Sequence, residues 1–208
     1  AAMSVMGVRP MEIDSDQELA SASFVTPNYF VELGTKPVEG RLLDPVSNGS
    51  MKDAPTVVLS YGFWQRRFGG DPDVAGRVIH LNGKPVTIAG VTPSAFVSLG
   101  GQDPDLWLPI AQQPYFMERS TVLEDWTNGS VRMWGKLAAG VSATAAEQEL
   151  LTLTNELRHE HPDAVWDNER IQSSPGGHLQ VMQPQMVRVA AMIGTVALLI
   201  LILACANV

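Results

Sequence analysis

The sequence predicts an α+β fold, and three observations carry that reading. An Asn82-Gly83 pair separates Val78-Ile79-His80-Leu81 from Val86-Thr87-Ile88-Ala89, the clearest hairpin signal in the chain. Two stretches, after Ser60 and after Ser142, carry apolar residues at helical spacing and stop at glycine or proline. Strands and helices otherwise follow one another irregularly, with no internal repeat and no low-complexity segment.

Taken in order, residues 4–13 and 18–25 alternate loosely and read as strands, parted by a polar turn at Asp14-Ser15-Asp16. Thr26 reads as a helix N-cap with Pro27 at the first helical position, where its missing N–H costs nothing, and Gly34 suits the left-handed end of that helix. Pro37, Gly40 and residues 45–55 read as loop. Thr56 to Leu59 is a short apolar strand. Ser60 then caps a helix with a stripe of Tyr61, Trp64 and Phe68, stopped by Gly69-Gly70. Arg66 and Arg67 fall off that stripe and are expected to face water.

In the hairpin, Pro85 has no N–H for a ladder, which places it at a strand start or an edge. Leu106 to Ile110 reads as a strand, and residues 111–130 as loop with at most one helical turn. Val131 to Leu137 alternates cleanly, and Gly140 turns the chain into a helix. Either Ser142 caps that helix, or Thr144 does with Glu147 completing a capping box. Ala146, Leu150, Leu153 and Leu157 form its predicted buried stripe, and Pro162 ends it. A last strand is expected around 170–183, broken by Pro175-Gly176-Gly177.

The 208 residues suffice for one large domain or two small ones. With 45% hydrophobic and 17% charged residues, the chain is neither a disordered tail nor a fully polytopic membrane protein. The formal net charge is −8 and no charged residue follows Arg188. That acidity, with no basic stripe interleaved with aromatics, argues against nucleic acid as a partner. A single cysteine, Cys205, can build neither a disulfide framework nor a thiolate metal site. No basic-then-apolar leader is visible at Ala1-Ala2-Met3. Val189 to Val208 is uncharged and apolar all round, and as a helix at ~1.5 Å per residue it spans the ~30 Å core of a bilayer. A buried core helix is the alternative, but a surface helix would show a polar stripe. A chain stopping inside such a run reads as a fragment of a longer polypeptide.

The sequence carries no complete chemistry-bearing motif. Gly100-Gly101 and Gly176-Gly177 lack the residues that complete a phosphate loop, which excludes an ATPase in this segment. Ser60 lies on a strand-to-helix turn, but the first glycine of a hydrolase elbow is replaced by Val58, and a helix N-cap explains the serine. His159, Glu160 and His161 with Asp163 suggest a metal, yet residues i and i+2 of a helix point to different faces. His80 and His178 are isolated, and the carboxylates Asp103, Asp105, Glu124 and Asp125 fall on predicted loops with no assigned role. Trp64, Trp107 and Trp134 sit at core-facing spacing, which favours packing over sugar stacking. No catalytic, cofactor-binding or metal-binding residue is therefore expected.

Several stretches resemble a known family. Val25-Thr26-Pro27-Asn28-Tyr29-Phe30, then Leu33-Gly34, Pro37 and Gly40-Arg41, are similar to the opening of the periplasmic core domain of MacB/FtsX-like permeases. The run from Leu59 to Phe96 resembles its middle, with Trp64-Gln65-Arg66-Arg67-Phe68-Gly69-Gly70 the most specific block. Asp105-Leu106-Trp107-Leu108-Pro109 and Leu137 to Leu150 resemble its later part, and Ala204-Cys205-Ala206-Asn207-Val208 the start of a transmembrane helix. The resemblance implies a two-lobed extracytoplasmic domain of an ABC transporter permease at the cell membrane. A porter-like βα lobe would comprise residues 1–73 and 131–186, a β-rich insertion residues 74–130, and the start of a transmembrane helix residues 189–208. Implied partners are the membrane, an ABC ATPase subunit, a second permease in a homodimer or heterodimer, and a periplasmic adaptor. The expected role is transmitting conformational change for export or mechanotransmission. The alternative is a ligand- or adaptor-binding module without transport. Neither role makes this segment an enzyme, and no cofactor is implied.

Overall fold

The structure, a computed structural model, describes residues 2–14, 18–48, 50, 52–99, 103–125 and 131–162. Its architecture follows from alternation. Met11 and Ile13 of β2 (Arg9–Ile13), Ala20, Ala22 and Phe24 of β3 (Glu18–Val25), and Val57 and Leu59 of β5 (Thr56–Leu59) enter one buried cluster. Ile79 and Leu81 of β6 (Val78–Leu81), Val86 and Ile88 of β7 (Lys84–Val91), and Leu106 and Leu108 of β8 (Leu106–Pro109) join it. Residues two apart on a strand share a face, so each strand turns one apolar face to a common interior. The strands bond in the order β2-β6-β7-β5-β8-β3, and β3 pairs back to β2, which closes the sheet into a barrel around that cluster. The β5–β7 and β3–β8 contacts are parallel and the other contacts of the ring antiparallel.

Closure between β2 and β6 rests on a single register pair, Ile13 with Leu81. Hydrogen bonds extend it on both sides. Asn82 Oδ1 accepts from the Glu12 N–H at 3.0 Å, and Asp14 Oδ1 accepts from the His80 N–H at 2.8 Å. The Asp14 N–H also donates to His80 O, and the Asn82 N–H to Glu12 O, each at 2.9 Å.

On the outer face, Val25, Val58, Ala89 and Trp107 form a second cluster with Tyr29 and Phe30 of α1 (Tyr29–Glu32) and with Leu42 and Leu43. β4 (Glu39–Gly40) crosses β7 there. A Cβ on Gly90 would collide with the backbone oxygens of Glu39 and Arg41, so the crossing needs glycine. Away from the barrel, β1 (Ala2–Met6) pairs with β9 (Val131–Gly135) along its length and meets β3 only at Val5 with Val25.

The structure corrects several expectations. The strand expected over 4–13 is two strands broken at Gly7-Val8, because β1 pairs with β9 while β2 enters the barrel. Asn28, not Thr26, precedes α1: Thr26 O accepts from the Tyr29 N–H, so Thr26 opens a turn that holds Pro27 outside the helix. Residues 45–55 contain a short helix, α2 (Pro45–Asn48), whose buried Asn48 donates to Thr56 Oγ1 at 2.6 Å. In α3 (Tyr61–Phe68), Phe63 is more deeply buried than the predicted stripe residues. Arg67 does not simply face water but reaches Glu18 at 2.8 Å and Asp14 at 3.6 Å. Among the described residues of 111–130, a 3-10 turn (Ile110–Gln112) runs directly into a further short helix, α4 (Gln113–Phe116), somewhat more than the one helical turn expected there.

α5 (Ala143–Glu160) is capped by Ser142, whose Oγ accepts from the Ala145 N–H at 3.1 Å. Its predicted stripe is not buried: Leu153 is 48% and Leu157 37% exposed. Amphipathic spacing reports a face able to pack, and no described element covers this one. Across residues 73/74, β6, β7 and β8 bond to β2, β3 and β5. Those pairings join strands far apart in sequence, which periodicity cannot reveal. The strand expected around 170–183 and the apolar run 189–208 lie outside the described residues. Among the described residues no helix is long and apolar enough to cross a membrane.

Candidate functional site

Several of the residues singled out for chemistry make hydrogen bonds that hold neighbouring elements together. Ser60 takes extended backbone angles and its Oγ accepts from the Phe63 N–H at 3.1 Å, satisfying a donor that the first turn of α3 leaves free. Asp105 Oδ2 accepts from both the N–H and the hydroxyl of Ser21, at 2.9 and 2.8 Å, and Oδ1 receives Arg66 at 2.8 Å. The Ser60 N–H donates to the main-chain O of Asp105, so side chain and backbone of this residue together tie β3, β8 and α3. Asp103 Oδ1 accepts from the Ser98 N–H at 2.8 Å. Glu124 and Asp125 lie in a turn whose N–H groups donate to Thr121 O. His80 sits at the barrel seam, 3.7 Å from Asp14 through Nδ1.

Of the tryptophans, Trp64 is buried and donates its indole N–H to Asp71 O at 2.9 Å, Trp107 lies in the outer cluster, and Trp134 packs against that cluster. His159 is in the last turn of α5 and His161 caps its end, while Asp163 and His178 lie outside the described residues. Among the described residues no three His, Cys, Asp or Glu side chains converge as metal ligands would.

One concavity of about 660 Å³ lies between two loops, residues 33–37 after α1 and residues 93–99 after β7. Leu33, Pro37, Phe96, Val97 and Leu99 supply most of its apolar wall, and it opens widely to solvent. Its floor is held by aromatic packing. The Phe96 ring lies 5.5 Å from Phe30 and 5.4 Å from Trp107, tilted or edge-on, an arrangement that suits ring quadrupoles. Tyr29 anchors the second loop, since its hydroxyl accepts from the Leu99 N–H at 2.9 Å and shares a hydrogen bond with Ser98 Oγ at 3.1 Å. Burial pushes the Tyr29 pKa up. The bonds to Ser98 and Leu99 act the other way, and the Asp103 charge adds to the rise. Sequence reasoning missed this groove. Its signal was the aromatic pair Tyr29-Phe30 beside a proline-bounded loop ending in Phe96, residues far apart in the chain.

No curated protein matches the sequence. Among solved structures, the chain is similar to a domain assigned to a permease protein of Porphyromonas gingivalis, at 19% identity and TM-score 0.55, covering 84% of this chain and 79% of that one. It is similar to the periplasmic region of MacB from Actinobacillus actinomycetemcomitans, at 20% identity and TM-score 0.52, covering 78% and 68%. The extracellular domain of the ABC-type transporter YknZ from Gram-positive bacteria matches at 13% identity and TM-score 0.51, covering 78% of each chain. At these identities the likeness speaks to the fold. Residues 1–153, which hold the whole barrel, β1, β9 and much of α5, match the family described as MacB-like periplasmic core domain, and the chain belongs to that family.

Proposed function

We propose that this chain is the extracytoplasmic domain of a membrane-anchored ABC transporter permease subunit, passing conformational change between the membrane and the outside in export or mechanotransmission. The observation that carries this reading is the family match over residues 1–153. In this reading the barrel is one lobe, and β1, β9 and α5, drawn from both ends of the chain, belong to the other. The domain moves rather than catalyses, and ATP is hydrolysed by a separate or fused ATPase domain. The permease works as a homodimer or heterodimer, with a periplasmic adaptor as a further partner. The test is recovery of the full-length parent from membranes with its co-purifying proteins. A nucleotide-binding ATPase subunit in the complex supports the reading. A parent recovered as a soluble protein, or in membranes without an ATPase, overturns it.

A second reading, a module that binds a ligand or an adaptor protein, is favoured by the apolar groove beside Phe96.

A further inference from the structure

We propose that Asn82-Gly83 is a modification site, a spontaneous deamidation whose rate is set by the barrel seam between β2 and β6. The closed seam holds the Asn82 carboxamide back from reaction, and an open seam releases it. The inference stands apart from the transport and binding readings.

The chemistry needs only this dipeptide and water. The Gly83 amide nitrogen attacks Asn82 Cγ, an N–Cγ bond forms, the Cγ–Nδ2 bond breaks, and ammonia leaves with the Gly83 amide proton. Water then opens the resulting succinimide. Cleavage of the new N–Cγ bond gives aspartate, and cleavage of the original peptide C–N bond gives isoaspartate. No electrons are exchanged. Asparagine is among the thermolabile residues, and a following glycine puts no side chain in the path of the attack. Both residues are exposed, on a turn with φ of 50° and 72°, so water reaches them.

What restrains the reaction is the clasp on the side chain. Asn82 Oδ1 accepts from the Glu12 N–H of β2 at 3.0 Å, and Nδ2 donates to Phe116 O of α4 at 3.3 Å. Both ends of the carboxamide are thus bonded to elements other than the turn that carries it. Ring closure draws Cγ onto the Gly83 nitrogen, and loss of Nδ2 as ammonia removes the donor to Phe116 O. Only one register pair, Ile13 with Leu81, holds the ladder beside this clasp, with the Asp14 bond to the His80 N–H on its other side. Local opening of so short a seam frees the carboxamide without unfolding the rest.

The products make the change permanent. An aspartate in place of Asn82 still accepts from the Glu12 N–H, but its second oxygen has no hydrogen for Phe116 O. Isoaspartate adds a methylene to the main chain of a turn fitted to two residues. Either way the seam does not regain its original bonds.

The sequence holds two further Asn-Gly pairs, Asn48-Gly49 and Asn128-Gly129. Asn128 lies outside the described residues. Asn48 is fully buried, its carboxamide bonded to the Asp44 N–H and to Thr56 Oγ1, which makes it an internal reference away from the seam.

The experiment ages the full 208-residue chain at neutral pH beside the free peptide Leu-Asn-Gly-Lys, reading each asparagine by peptide-mapping mass spectrometry. Asn82 is expected to deamidate at least about tenfold more slowly in the folded chain, because the reaction passes through a minor open population. Asp14→Gly keeps the positive φ of 49° and removes the acceptor of the His80 N–H, loosening the seam without touching the turn. That variant is expected to speed Asn82 about fivefold, the shift for one lost hydrogen bond, and to leave Asn48 unchanged. Asn82→Asp, standing for the aspartate product, is expected to exchange the seam amides of Asp14 and His80 about fivefold faster than wild type. Circular dichroism checks that both variants fold. Equal rates in chain and peptide overturn the proposal, as does a rate at Asn82 that Asp14→Gly leaves unchanged. Acceleration of Asn82 and Asn48 together also overturns it, since the opening is then global. Unaltered exchange in Asn82→Asp overturns the lasting loosening of the seam.

Discussion

A buried tyrosine hydroxyl that accepts a backbone N–H ties the outer cluster to solution pH. Tyr29 ionises above its ordinary value of about 10, chiefly because burial disfavours the phenolate. In the unfolded chain the same group ionises near 10. Its contribution to stability is therefore fully present below that pH and is lost as pH rises through the higher folded value. Urea unfolding of the wild type between pH 9 and 12 is expected to show a decline that Tyr29→Phe lacks. At pH 7 that variant is expected to cost about 1 kcal/mol, because the Leu99 N–H loses its acceptor. What the sequence reveals at this scale is what is settled locally. Ser60 could be read as a cap because its partner lies three residues on. The partners of Tyr29 at Ser98 and Leu99 lie about seventy residues away, and no spacing rule reaches them.

Hairpin and helix show the same contrast between short and long range. The Asn82-Gly83 turn was legible because positive φ at two consecutive residues is a local demand, and the structure places them at 50° and 72°. Hidden from the sequence is the second use of Asn82, whose side chain clasps Glu12 across the barrel seam and donates to Phe116 O at 3.3 Å. Asn82→Gly is expected to keep the turn and lose those bonds, costing about 1 kcal/mol. Asn82→Ala adds backbone strain and is expected to cost about 2–3 kcal/mol, compared by denaturant midpoint. α5 was equally legible as a helix, with its cap at Ser142, but not in what it touches. A stripe at 3.6-residue spacing says which side is apolar and nothing about whether an element covers it.

For the whole molecule, stability is concentrated in the barrel. Ile88→Ala empties part of a fully buried interior and is expected to cost about 2–5 kcal/mol. Leu157→Ala, on the exposed side of α5, is expected to change unfolding free energy by less than about 0.5 kcal/mol, measured on the full chain. The α+β class could be inferred from the mixture of patterns, but closure could not. Alternation along β3 or β5 assigns each side chain a face, while the choice of neighbour depends on which strands meet after collapse. In the structure β6, β7 and β8 share one ring with β2, β3 and β5.

The narrow seam between β2 and β6 also sets an order of events in time. β6 with β7 and β2 with β3 are neighbours in sequence and can zip in microseconds. The parallel contacts β3–β8 and β5–β7 must wait for longer loops to close, which is slow. With one register pair, fewer than any other side of the ring, the seam at Ile13 and Leu81 is expected to be the first to open. Amide hydrogens along this line should therefore exchange before those of β5, and the barrel opens, when it opens, as a sheet unrolling from one edge.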